Sequence, residues 1–152
     1  MKNYFLLILI VQSLVFNIKY HTSAQNQMIH LSNLNEHLSN NCLFVYHPDS
    51  VTCYSDIWGF KDDDGEEYAI MGLNDGFSFI NITDPVNPVE VEVITSTSHL
   101  NKDVKIYTDG SGNKYAYLVS DGSGSVLQIV DLSGLPTSVS VVNTFTTAFG
   151  RV

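Results

Sequence analysis

Residues 67–82 read EYAIMGLNDGFSFINI, and residues 114–132 read KYAYLVSDGSGSVLQIVDL. These two stretches decide the fold class. Tyr68-Ala69 matches Tyr115-Ala116 at an offset of 47, and Asp56 matches Asp103 at the same offset. Ile80-Asn81-Ile82 then matches Val130-Asp131-Leu132 at an offset of 50. The three extra residues fall in the turn Asp121-Gly122-Ser123-Gly124, where lengthening costs little. The chain therefore carries an internal repeat of roughly fifty residues, present twice.

Each copy predicts four strands. Short β-branched and aromatic runs alternate with clusters of Gly, Asp, Asn and Pro, the spacing of all-β folds. The first set is placed at 56–60, 67–73, 77–82 and 89–94. The second is placed at 103–107, 114–120, 126–132 and 139–146. Val89, Val91 and Val93 alternate with Glu90, Glu92 and Ile94, which predicts a strand with one buried face and one mostly wet face. Four-stranded repeats of this length are the pattern of β-propeller blades. A blade cannot bury both faces alone, and a ring needs about four or more blades. The fold class expected is thus all-β, with about two propeller-type blades of four-stranded antiparallel sheet, as the front part of a longer propeller. A self-contained sandwich of two four-stranded sheets is the alternative.

The expected organisation is a signal peptide at 1–24, a lead-in at 25–53, blade 1 at 54–98 and blade 2 at 99–152. Lys2 precedes an apolar run from Phe5 to Phe16, and Thr22-Ser23-Ala24 supplies small residues before Gln25. That is the layout of a secretory signal, and the run is short for a membrane span. An uncleaved N-terminal anchor is the competing reading. No later stretch is apolar and long enough to span a bilayer as a helix. The lead-in is polar, with Ile29, Leu31, Leu34 and Leu38 unevenly spaced, and fixes no element.

The formal charge is −9, and removing residues 1–24 takes away two lysines and no acid. Such acidity argues against nucleic acid or anionic lipid as partners, since both need a basic footprint. Cys42 and Cys53 lie in the exported part and bracket a segment short enough for a hairpin, so they are a candidate disulfide. Free thiols are the alternative. Their spacing matches no common zinc site.

The residues Tyr54-Ser55-Asp56-Ile57-Trp58-Gly59-Phe60 resemble the opening of an LVIVD repeat. They are followed by Asp64-Gly65-Glu66-Glu67-Tyr68-Ala69-Ile70, then by Phe79-Ile80-Asn81-Ile82-Thr83-Asp84-Pro85 and Asn87-Pro88-Val89. In the second copy, Val126-Leu127-Gln128-Ile129-Val130-Asp131-Leu132 looks like the strand that gives the repeat its name. The resemblance covers about residues 42–150 and extends to the choice-of-anchor B group of exported bacterial proteins. It implies a β-propeller outside the cytoplasm, often tethered at its C-terminus, with no assured enzymatic activity. Two departures stand out. His99-Leu100-Asn101-Lys102-Asp103 lacks the Trp that family members often carry there, and no Ala-His-Asn element follows the last strand.

Three residues are candidates for a ligand-binding channel. Asp56 and Asp103 occupy equal repeat positions. They read either as channel carboxylates or as strand-fixing acceptors of backbone N–H groups. Trp58, the single tryptophan, reads either as a stacking platform for a ligand or as packing between blades. Asp62 and Asp64, in the run Asp62-Asp63-Asp64-Gly65-Glu66-Glu67, are weak calcium candidates. Hard cations want clustered oxygens, yet an Asp-Gly turn explains the same run. Asp109-Gly110-Ser111-Gly112-Asn113 is the equivalent turn in the second copy.

Asn81-Ile82-Thr83 fits a glycosylation sequon, but Asn81 matches Asp131 in the repeat, which suggests a strand-end role. No triad, phosphate loop or nucleophile elbow is present, and the five histidines form no ligand spacing. The function expected is a non-enzymatic extracellular binding or scaffold module, with an extracellular protein or glycan as partner and no required cofactor. A propeller hydrolase or lyase with a central metal held by inner-strand Asp, Asn and His is the alternative.

Overall fold

A computed structural model of the chain describes residues 29–34, 36–37, 43–44, 51–52, 54–97, 102–122 and 124–146. The chain divides into two units, Met1–His30 and Leu31–Val152. Ile29 and His30 are the described residues of the first unit, and both are exposed. The signal-peptide reading of 1–24, and Cys42 and Cys53, lie outside the described residues.

The second unit is all-β among the described residues, with no helix. A short pair, β1 (Leu43–Phe44) and β2 (Val51–Thr52), comes first. Then come β3 (Tyr54–Lys61), β4 (Glu67–Leu73), β5 (Gly76–Asn81) and β6 (Val89–Thr95), which form one antiparallel sheet in that order. β7 (Lys102–Thr108), β8 (Lys114–Ser120), β9 (Val126–Asp131) and β10 (Ser140–Phe145) form the second, also in sequence order. The eight strands fall where the sequence places them. The repeat offsets hold to the residue, since β4 and β8 are displaced by 47 and β5 and β9 by 50.

The turns repeat as well. Gly65 and Gly112, again 47 apart, both take a positive φ of about 90° (91° and 92°), which an L side chain rarely adopts. The three-residue difference lies in the β8–β9 turn, where Gly122 and Gly124 also have positive φ. At the strand ends, Asn81 Oδ1 accepts from Thr83 N at 2.9 Å and Asp131 Oδ1 accepts from Ser133 N at 2.8 Å. This equivalence supports a strand-end role for Asn81, whose Nδ2 also donates to Glu66 Oε2.

The two sheets pack face to face. Ile70, Phe77 and Phe79 of the first meet Val104, Ala116, Leu118 and Val130 of the second, with Leu132 and Val139 completing the cluster. Burying a side chain of this size contributes about 1.5–3 kcal/mol, so this core is the main cohesion between sheets. Polar links seal one end: Ser96 Oγ donates to Ser120 Oγ at 2.9 Å, and Gln128 Nε2 donates to Thr95 O at 3.1 Å. Gly72 lets β7 come close, because a Cβ there would lie 2.6 Å from the Lys102 Cβ and 2.7 Å from the Ser55 Oγ.

One expectation needs correction. β6 does not bury Val89, Val91 and Val93 on one side and leave Glu90, Glu92 and Ile94 on the other. A bulge between the Phe79–Glu92 and Ile80–Glu90 pairs breaks the alternation at Val91. Val91 and Ile94 both pack on the core between the sheets, whereas Val89 is 60% exposed. Glu90 is instead half-buried on the opposite face.

Candidate functional site

The first strands of the two sheets, β3 and β7, each at a sheet edge, lie against each other, and they bring together all three channel candidates. Asp56 Oδ2 accepts a hydrogen bond from Val104 N at 3.0 Å. Asp103, its counterpart one repeat later, accepts from Lys105 Nζ at 2.7 Å. The same ammonium sits 4.5 Å from the centre of the Trp58 ring, a cation–π distance, and donates to Val104 O at 2.8 Å. The Lys105 hydrogen bond holds the Asp103 carboxyl below the usual carboxylate range, and the Asp56 side chain and the Val104 N–H act in the same direction.

Asp56 therefore accepts from the backbone of the facing edge strand, β7. Asp103 faces solvent, with its charge balanced by Lys105. Trp58 is 37% exposed, so it is not sealed between the sheets, and Lys105 lies over its ring. Lys105 is the member that sequence reasoning missed, since a lysine two residues from an aspartate on a strand reads as a solvated pair. Two carboxylates, one ammonium and an accessible indole offer hydrogen-bond donors, acceptors and a stacking surface. That set suits a polar ligand with a flat or apolar face.

Of the two calcium candidates, Asp62 takes part in the β3–β4 turn and Asp64 is exposed within it. Asp62 Oδ1 accepts from Glu66 N at 2.8 Å, and Asp63 pairs with Lys114 of the second sheet. Asp109 does the equivalent work in the second copy. It accepts from Ser111 N, Asn113 N and Asn113 Nδ2, and the Asn113 side chain leads in holding its carboxyl low. Among the described residues no three His, Cys, Asp or Glu side chains gather as a metal group.

A groove of about 420 Å³ lies on the other face of the first sheet, away from the second. Ile57, Ala69, Met71, Ser78, Ile80 and Ile82 form its floor. Ser32 and His37 border it. Ser32 Oγ donates to Pro85 O at 2.7 Å, and His37 Nε2 meets Glu90 Oε2 at 2.5 Å. The same Glu90 oxygen accepts from Ser78 Oγ at 2.5 Å. Here the carboxylate, not the imidazole, stands between the other two groups. The trio therefore lacks the base-to-hydroxyl contact that would activate a serine. Nothing in the sequence singled out this groove, because an apolar strand face reads equally as core.

Among the described residues no helix is long and apolar enough to cross a membrane. Comparison with family models, with curated proteins and with solved structures finds no match for this chain.

Proposed function

We propose that the chain is an LVIVD-type β-propeller module acting outside the cytoplasm, secreted or at the cell surface after removal of residues 1–24. In this reading it binds an extracellular protein or glycan without chemical turnover. The observation that carries it is the meeting of Asp56, Trp58, Asp103 and Lys105 on the facing first strands of two repeat-related sheets. Propeller channels are lined by such strands, and these four side chains supply recognition chemistry without a nucleophile–base pair. The repeat-for-repeat match of strands and turns supports the blade reading over an unrelated pair of sheets.

The test is a binding screen of the secreted protein against glycan and surface-protein arrays, with Trp58→Ala and Lys105→Ala in parallel. The reading expects a ligand whose binding weakens at least about tenfold in both variants, the scale of one hydrogen-bonded or cation–π contact. Turnover of sugar, ester or peptide substrates that is lost in Asp56→Asn or Asp103→Asn would overturn it in favour of the hydrolase or lyase reading.

A further inference from the structure

The far face of the first sheet is covered by the chain itself. Of the groove's floor, Ala69, Ser78 and Ile80 are only 1–7% exposed, although the second sheet packs on the opposite face. Ser32, Leu34 and His37 of the preceding segment lie along it. Two bonds fix this cover, Ser32 Oγ to Pro85 O and His37 Nε2 to Glu90 Oε2. A macromolecule therefore has no flat face to lie on. The cover still leaves a groove of about 420 Å³, a volume that suits a small molecule.

The lining sets the chemistry of that molecule. Leu34, Ile57, Met71 and Ile82 are apolar and remain partly accessible, and Ile57 is fully exposed on one side of the groove. Glu36 and Glu90 bring two carboxylates, and no Lys or Arg lines the groove among the described residues. His37 supplies at most one positive charge, so the two carboxylates keep the groove net negative. Glu90 is half-buried, its side chain 24% exposed. Both of its hydrogen bonds, from Ser78 Oγ and with His37 Nε2, fall on Oε2 at 2.5 Å. Its Oε1 accepts none among the described residues.

An anion entering here would meet like charge in a partly desolvated site. A wholly apolar molecule would strip water from Glu90 Oε1 and return no hydrogen bond. An ammonium on an apolar body meets both demands. It gives Oε1 a charge-assisted bond, and its body covers the exposed hydrocarbon. Asp56 and Trp58 flank Ile57 on β3 but do not line the groove, so this site is separate from the one at the β3–β7 contact.

We propose that the groove binds a small amphipathic cation, with its apolar body against Leu34, Ile57, Met71 and Ile82 and its ammonium on Glu90. The experiment titrates the purified full chain with phenethylamine, following the methyl NMR signals of Met71 and Ile57. Phenethyl alcohol serves as the neutral counterpart and phenylacetate as the anionic one. The amine should shift both signals saturably and bind at least about tenfold more tightly than the alcohol, the scale of one charge-assisted hydrogen bond. Phenylacetate should shift neither. Glu90→Gln removes the charge but keeps an acceptor for Ser78, so the amine should fall to the level of the alcohol while the alcohol is unchanged. Ile57→Lys, at an exposed position that leaves Glu90 and its partners in place, should abolish binding of the amine. Near-UV circular dichroism checks that each variant is folded, and Ile57→Lys decides if Glu90→Gln is not. An amine that shifts neither signal saturably, an amine and alcohol of equal affinity, or a folded variant that binds the amine as tightly as the native chain overturns the proposal.

Discussion

The carboxylate of Asp56 accepts the backbone N–H of Val104 at 3.0 Å, a bond that joins the first strand of one sheet to the first strand of the other. Val104 is fully buried, so its N–H has little access to a substitute partner. Hydrogen bonds to charged groups contribute about 1.5–3 kcal/mol. Asp56→Ala should therefore cost about 2 kcal/mol in urea unfolding, and Asp56→Asn, which keeps an acceptor, should cost clearly less. Equal loss in both variants would mean that the charge, not the bond, matters.

Lys102 makes stability depend on alkaline pH. It is almost fully buried between the sheets, and burial pushes its ammonium down from 10.5 to about 8, with the Asp75 charge opposing. Its folded pKa lies below the unfolded one, so between about pH 8 and 10 the unfolded chain binds more protons. Stability must then rise with pH across that window. Above about pH 10 the trend reverses, because burial, followed by the Glu66 hydrogen bond, holds the Tyr68 phenol well above its ordinary value. Lys102→Met keeps the buried stem and should flatten the rise. Urea midpoints measured at intervals from about pH 7 to 10 check this.

The core between the sheets should be far more sensitive than the outermost strand. Leu118 is fully buried in that core, whereas Val142 on β10 is exposed. Leu118→Ala should cost about 3 kcal/mol, and Val142→Ala should stay within about 0.5 kcal/mol. Thermal unfolding of the two variants side by side gives the comparison. Similar losses would show that the sheets do not share this core.

Leu43 pairs with Thr52 and Phe44 with Val51. The residues that flank this pair in the sequence are the two cysteines, Cys42 and Cys53. A disulfide closing so short a loop contributes about 3 kcal/mol in the chain-entropy picture. The chain expressed in an oxidising compartment should have an intact mass about 2 Da below that of its reduced form, and thiol-blocking reagents should leave it unlabelled before reduction. Two equivalents of label on the native chain would refute the bond.

The eight strands of the repeats, their grouping into two four-stranded sheets and the equivalence of turns were legible because the repeat constrains them twice. Gly65 and Gly112, or Asn81 and Asp131, each solve the same local problem with residues suited to it. The β6 face was not legible, because a bulge at Val91 leaves no mark in the alternation of valines and glutamates. Asp56, Trp58 and Asp103 were identified, but their meeting depends on how the sheets pack, and that packing also recruits Lys105. The groove was hidden for a related reason. Met71 and Ile80 read as ordinary core, and Ile80 is indeed buried, but on the face opposite the one where their repeat partners Leu118 and Val130 pack between the sheets.

The most direct test of the central claim, that the two repeat-related sheets pack together through non-equivalent faces, is residue-resolved hydroxyl-radical labelling of the folded chain. The account predicts labelling of Tyr107, Tyr117 and Ile57, with protection of Phe79, Ile70 and Val104. Equal protection of Tyr117 and its counterpart Ile70, or labelling of Val104 to the level of Ile57, would contradict it.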